Sequence, residues 1–394
     1  MTARYDVLVV GGGVVGSSVA YFLSAREEGR RLRIGVVEAD PTYARASTTL
    51  SVGGIRQQFS TRENVLISKF SAEFLRQAPE LLRVGADEPE LSFVEAGYLF
   101  LATGEGMDVL RRNHRLQEDL GARVRLLEPE DLAARFPWLY VADLAGGSLG
   151  LAGEGWLDPY SLLQAFRKKA VAQGVRFLHD RVVGLRVEAG RVRAAELEEG
   201  GTVGAEVVLD AAGPGAAAVA RMAGIRDLPV ESRKRFVYRF RCRERVEGAP
   251  LTVDPSGVYF RPEGREYLCG VSPPETDDPE TTDLVMEYDL FHEVIWPTLA
   301  HRVPAFQAIR LGPSWAGHYA VNTADRNAIL GLHPALSNFF LAVGFSGHGL
   351  QQAPAVGRAL SELILDGEFT TLDLRRMGFR RFASGNLLLE RNVV

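Results

Sequence analysis

The chain has 394 residues, 46% hydrophobic and 24% charged, with a net charge of −5, an ordinary globular composition with room for two packed domains and no electrostatic basis for binding nucleic acid. Cys242 and Cys269 are its only cysteines, which excludes a disulfide framework or zinc site, leaves no metal expected, and suits a reducing cytoplasm. No uncharged apolar run reaches the roughly 18 residues of a spanning helix, and Asp6 followed by a glycine cluster is unlike a signal peptide.

In chain order, YDVLVV at 5–10 reads as an apolar strand that runs into Gly11-Gly12-Gly13-Val14-Val15-Gly16 and a helix of small residues. A second apolar run, Ile34 to Val37, ends in Glu38 and Ala39. This β-α-β layout is what holding a dinucleotide requires. Gly11 permits the tight turn, Gly13 lets the backbone approach a pyrophosphate, and Gly16 lets helix and strand pack closely. The N–H groups opening the helix, at Val14 and Val15, face phosphates. The Glu38 carboxylate accepts from ribose hydroxyls.

Residues 41–60 form a long polar loop, and a loop of that length inside a compact domain is usually functional. Its hydroxyls at Ser47, Thr48, Thr49 and Ser51 suit phosphate and ribose contact, with turn chemistry as the plain alternative. Helical periodicity covers 64–83. A strand pair broken at Gly97 is expected over Phe93–Ala102, then a helix from about Glu105 to Leu120 and a short one ended by Pro137. Asp158 caps a further helix with Pro159 at its first position.

Strands alternate through 175–209, Val183 among them, and the last runs into Asp210-Ala211-Ala212-Gly213. From about 230 to 272 the period is two, an antiparallel sheet with a hairpin at Glu263–Gly264. After an acidic, proline-rich connector at 273–283 come a helix near 285–302 and a strand around Ile309–Ala316. The chain closes with a strand at 339–343, a glycine loop and a helix through Leu365. The order implies an α/β fold, a Rossmann-like domain from 1–90, 150–225 and 325–394 interleaved with an antiparallel-sheet substrate domain from 91–149 and 226–324.

Three separated segments resemble the FAD-dependent amine and amino-acid oxidoreductases of the D-amino-acid oxidase, sarcosine oxidase and glycine oxidase type: GGGVVG with VVEAD, DAAGPGA at 210–216, and GFSGHGLQQAPAVG at 344–357. STTLSVGGIRQQFS at 47–60 is most similar to the sarcosine and dimethylglycine dehydrogenase-like members. The resemblance covers nearly the whole chain. It implies FAD on the glycine turn, Glu38, Ala39 and the loop hydroxyls, with Val183, Ala212 and Gly213 completing the phosphate side. Gly347, His348, Gly349, Leu350 and Gln351 would run past the flavin, where the helix start offers a partial positive field.

Two departures matter. Gly317 stands where some members carry a flavin-linked cysteine, and no histidine occurs between Met1 and Asn113, so noncovalent FAD is expected. Gln351 stands where sarcosine oxidases have a lysine for the substrate carboxylate, and Leu268 falls near an oxidase lysine, which tilts the expectation towards a dehydrogenase. The electron acceptor is oxygen or another carrier, and an oligomer stays open.

The resemblance places Arg56 as the grip on a substrate carboxylate, Tyr319 facing the substrate, and His348 and Gln351 beside both. The plain alternatives are an ion pair for Arg56, a buried aromatic for Tyr319, and a packed ring for His348. Gln57 and Gln58 read as local backbone satisfaction, and Asp325 and Arg326 as a local pair. The expected activity is oxidation of a secondary or N-methylated amino acid (sarcosine, dimethylglycine or proline-like) to an imine by hydride transfer to flavin N5, then hydrolysis. The alternative is a flavoprotein that serves mainly as an electron-transfer or assembly partner.

Overall fold

A computed structural model describes residues 3–391. Strand Arg4–Val10 lies inside an eight-stranded sheet, parallel to Ile34–Glu38 on one side and Gly201–Asp210 on the other. Val7 and Val9 join one core, Tyr5, Leu8 and Val10 another. Burial on both faces explains why this segment is continuously apolar rather than alternating. Phe339–Val343 adds a parallel strand beside Gly201–Asp210, and Arg176–His179 one beside Ile34–Glu38. Strands from the start, middle and end of the chain are thus neighbours. Their carboxyl ends share one edge, where open α/β sheets bind ligands.

The second sheet has nine strands and is organised by Val230–Cys242, which pairs with Glu266–Gly270, Ile309–Leu311 and Trp315–Asn322. Tyr238 and Phe240 pack inward with Phe260, Tyr267 and Phe306. All pairings are antiparallel except Leu251–Val253, which runs parallel to Tyr98–Ala102 and so brings in Gly146–Gly150 and Val124–Leu127. These last two were not legible: one is glycine-rich, the other only four residues long.

Three expected elements differ. Val94 makes only an isolated bridge to Trp156, and the strand begins at Tyr98. The strand expected at 309–316 divides at Gly312-Pro313-Ser314, where proline removes a ladder donor. Helix expected from 285 begins at 289. Lys234 Nζ reaches Asp283 Oδ1 (3.0 Å), the Val285 carbonyl (3.2 Å) and Glu287 Oε1 (2.7 Å), which ties 283–287 to the second sheet as irregular chain.

The chain ends are joined through tight packing. Helix Val14–Ala25 lies on helix Gly349–Leu365, where a Cβ at Gly357 would stand 2.2 Å from Ser18 Oγ. Ser18 Oγ donates to the Ala353 carbonyl at 2.8 Å. Near the C-terminus, the Glu390 carboxylate accepts from Ser60 N–H (2.8 Å), Thr61 Oγ1 (3.0 Å) and Asn64 Nδ2 (3.0 Å). It ties the chain leading into helix Arg62–Leu81 to the C-terminal segment through Ser60 and the Thr61 and Asn64 side chains. Among the described residues no helix is long and apolar enough to cross a membrane.

The Asp325–Arg326 pair does not form. Arg326 reaches Glu275 at 3.2 Å, while Asp325 takes two hydrogen bonds from buried Arg381, at 2.7 and 3.0 Å. Truncating one partner of a buried ion pair costs about 3–5 kcal/mol because the other charge stays buried. Arg381→Ala is therefore expected to lower the urea midpoint by that equivalent. A loss below about 1 kcal/mol, the scale of an exposed pair, would show that the interaction is not holding the C-terminal segment down.

Candidate active site

The glycine turn is fixed by close backbone approach. Gly11 has φ +100°, and a Cβ there would lie 2.5 Å from the Ala211 carbonyl oxygen and 2.8 Å from Ala212 Cα. At Gly16 it would lie 2.0 Å from the Gly11 carbonyl oxygen. The mid-chain segment Ala211–Ala212 therefore sits directly against the first turn, with Gly213 following. At Gly13 a Cβ would meet only Thr48 Oγ1, at 3.6 Å, so this stretch of backbone stays approachable.

Helix Val14–Ala25 begins without a side-chain cap from Gly13. Val14 N–H donates to Thr48 Oγ1 at 3.2 Å. Val15 follows in the same first turn. Ser47 Oγ and Thr49 Oγ1 are buried with no hydrogen-bond partner, and Ser51 Oγ accepts from Gly53 N–H at 3.1 Å. Glu38 Oε2 accepts from Gly12 N–H (2.7 Å) and Oε1 from Asp40 N–H (2.8 Å). Each carboxylate oxygen retains further acceptor capacity. Ala39 is exposed beside it. Val183 lies three residues past Asp180, whose N–H bonds the Glu38 carbonyl at 3.1 Å, and its side chain is 47% exposed.

At the other end of the site, Gly344, Ser346 and Gly347 all have positive φ and turn the chain into helix Gly349–Leu365, with His348 at the cap and Leu350 buried. A Cβ at Gly347 would lie 2.4 Å from the Tyr319 ring. Only glycine lets that ring rest on the loop.

Arg56 is buried and joins the two chain ends. Its N–H donates to Gln351 Oε1 (2.7 Å), its Nη1 to the Gln58 carbonyl (2.7 Å), and its Nη2 contacts His348 Nε2 (3.0 Å). The guanidinium carbon lies 4.1 Å from the centroid of the Phe59 ring. Arginine can only donate, so His348 Nε2 accepts and the ring proton sits on Nδ1. Burial and the Arg56 charge hold the His348 pKa well below its ordinary value, which keeps the ring neutral.

Three tyrosines complete this wall. Burial pushes Tyr98 up to about 12 and raises Tyr259 and Tyr319, while the Arg56 charge acts in the opposite sense on Tyr98, and Arg235 and then Arg56 do so on Tyr319. At neutral pH the cluster holds protonated phenols beside Arg56, with buried Arg235 5.2 Å from the centroid of the Tyr319 ring. Arg56, Tyr319, His348 and Gln351 are thus contiguous, delivered by the 41–60 loop, the second sheet and the C-terminal loop-helix.

Glu154 and Tyr98 belong to the same cluster and were missed. The only sequence signal for Glu154 was an acid among glycines in AGEGW; Tyr98 read as an ordinary strand aromatic. Glu154 is buried, and burial raises its carboxyl to about 7. At Gly317 a Cβ would lie 3.0 Å from Leu50 Cβ, so a larger residue would need Leu50 to move. Among the described residues no group of metal-ligating side chains occurs.

The chain matches the FAD-dependent oxidoreductase family over residues 6–363. It is similar to FAD-dependent oxidoreductase domain-containing protein 1 of Xenopus laevis, with 45% identity over 99% of this chain and 85% of that protein. It is similar to glycine oxidase of Geobacillus kaustophilus (strain HTA426), 28% identical over 97% of this chain and 98% of the oxidase. The crystal structure of L-proline dehydrogenase from P. horikoshii aligns with a TM-score of 0.88 at 28% identity, covering 98% of this chain and 100% of that one. The chain belongs to this family, whose cofactor is FAD.

Asp210, at the end of its strand, is fully buried: Oδ1 accepts from Ala212 N–H at 3.0 Å and Oδ2 has no partner. Burial raises its carboxyl to about 8. From about pH 4 to 8 the folded chain keeps this proton and the unfolded chain does not, so this group's contribution to stability falls as pH rises. With FAD saturating, Asp210→Asn is expected to flatten the decline in urea midpoint between pH 5 and 8.5. Superimposable pH profiles for the two proteins would rule the linkage out.

Proposed function

We propose that this oxidoreductase oxidises a secondary or N-methylated amino acid, of the sarcosine, dimethylglycine or proline kind, at the carbon–nitrogen bond, and that it works in a reducing compartment. The observation that carries the reading is the buried Arg56 guanidinium, aimed by Gln58 and His348 and surrounded by tyrosines. A rigid, desolvated arginine is suited to a carboxylate, which it grips with two parallel N–H donors.

The residues fit FAD. Ser47 Oγ and Thr49 Oγ1 are buried hydroxyls in need of partners, and they lie in the loop whose Thr48 bonds the uncapped helix start. With Gly13 they would hold the diphosphate, Glu38 would take ribose hydroxyls, and Ala212–Gly213 would line the other side. Gly347 to Gln351 would hold the flavin end, where the helix N-terminus favours negative charge. Bound FAD supplies a hydride acceptor at flavin N5 for the hydrogen on the carbon beside the substrate nitrogen.

The chain's own residues position the substrate. Arg56 fixes the carboxylate, and the Tyr98 and Tyr319 phenols form a protonated wall that cannot ionise at neutral pH. His348, its Nε2 engaged by Arg56, orients the guanidinium rather than taking a proton. The apolar surroundings favour an uncharged amine over an ammonium. Tight packing of Gly317 on Leu50 and the lack of histidine before His114 support noncovalent FAD.

One observation favours the alternative of a partner-binding flavoprotein: Val285, Tyr288, Val294 and Trp296 are all exposed on one acidic segment.

Purified protein is expected to be yellow and to release FAD into the supernatant on heat denaturation; colour retained by the precipitate would indicate a covalent bond. Anaerobic sarcosine, dimethylglycine or L-proline should bleach the flavin, and failure of all three would move the reading to the partner role. Charge-assisted hydrogen bonds contribute about 1.5–3 kcal/mol each, so Arg56→Ala should raise KM for the bleaching substrate at least roughly tenfold. An unchanged KM would remove Arg56 from carboxylate binding.

A further inference from the structure

Arg56 is held by a polar chain that begins outside its own loop. Glu154 lies in the turn between strands Gly146–Gly150 and Gly155–Trp156, and the second of these pairs with Gly54–Ile55 immediately before Arg56. Glu154 Oε1 accepts from Gln57 N–H at 2.7 Å, and Oε2 accepts from Gln58 Nε2 at 2.9 Å. Gln58 Nε2 also donates to the Tyr98 carbonyl (2.9 Å), while Ser148 Oγ donates to Gln58 Oε1 (2.7 Å) and fixes which way the amide faces. The Gln58 carbonyl then accepts Arg56 Nη1 at 2.7 Å.

Space is reserved for this carboxylate. A Cβ at Gly150 would lie 1.8 Å from Glu154 Oε2, and a Cβ at Gly153 would lie 2.2 Å from Gln57 Nε2. The side chain itself is 1% exposed. A buried carboxyl is costly unless its acceptors are met, and here they are met by the two residues that follow Arg56.

We propose that Glu154 is the positioning residue for Arg56: it anchors Gln57 and Gln58 so that the Gln58 carbonyl points the guanidinium at the substrate carboxylate. The inference rests on the reading of Arg56 as the carboxylate grip. Glu154 bonds the two residues that follow Arg56, so its influence on the substrate passes through Arg56. A simple electrostatic view predicts the opposite sign, since removing a carboxylate near Arg56 would leave more net positive charge for a bound anion.

The test is equilibrium binding of acetate to the FAD holoenzyme at pH 8, read from the flavin absorbance spectrum, with acetamide as the neutral control. Glu154→Gln keeps the volume but opposes an amide NH2 to the Gln57 or Gln58 donor. It is expected to weaken acetate at least fivefold and leave acetamide within twofold. Glu154→Asp, which keeps the charge but shortens the reach, should fall between it and the wild type. Arg56→Ala should weaken acetate at least tenfold, and Arg56→Ala/Glu154→Gln should match Arg56→Ala alone. If Arg56→Ala leaves acetate binding unchanged, or the wild type binds no acetate, the underlying reading of Arg56 fails. Where Arg56→Ala has its effect, the positioning role is overturned by Glu154→Gln or Glu154→Asp binding acetate as tightly as wild type, by acetamide weakening equally, or by the double variant losing the two effects additively.

Discussion

The contact on which the site depends is that of Arg56 with the His348–Gln351 loop. A guanidinium taken out of water needs its donors met, and here the Gln58 carbonyl and His348 Nε2 meet them, while Gln351 Oε1 accepts the Arg56 backbone N–H. Two of these lie almost 300 residues further along the chain. The site therefore exists only when the C-terminal helix is seated, and that helix is seated by packing as tight as Gly357 on Ser18.

The same requirement organises the sheets. Parallel strands from the beginning, middle and end of the chain lie side by side, so their carboxyl ends gather the glycine turn, Ala211–Ala212 and the Gly344–Gly347 loop along one edge. The second sheet contributes the phenols of Tyr98, Tyr259 and Tyr319. Its parallel pairing of Leu251–Val253 with Tyr98–Ala102 puts Tyr98 in the wall. Around Arg56 stand a neutral imidazole and protonated phenols, and buried Arg235 lies on the Tyr319 ring. In such a buried medium a fixed guanidinium acts more strongly than it would in water.

Burial sorts the ionisable groups by task. Asp210 and Glu154 are both deeply buried carboxyls with raised pKa values, yet their surroundings differ. Glu154 receives donors on both oxygens and is tied to the loop that carries Arg56, whereas Asp210 receives one and closes the strand end beneath the turn. Asp325 is paired with Arg381 and Glu390 with the start of a helix, so these two serve the frame.

Local residue types were enough to specify the strand–glycine turn–helix at 5–25, the Asp158 cap and the alternating face of 236–242. Each depends on backbone conformation or side-chain period within a few residues. Arg56, Tyr319, His348 and Gln351 could be named as candidates because their segments resemble those of the family, not because of any pattern of their own. The sequence did not determine that they meet, that Glu154 stands behind Arg56, or that Arg381 rather than Arg326 answers Asp325. Those pairings depend on strand register and helix packing between segments far apart in the chain. No short-range pattern carries that information, because it arises only when the two cores close around both ends.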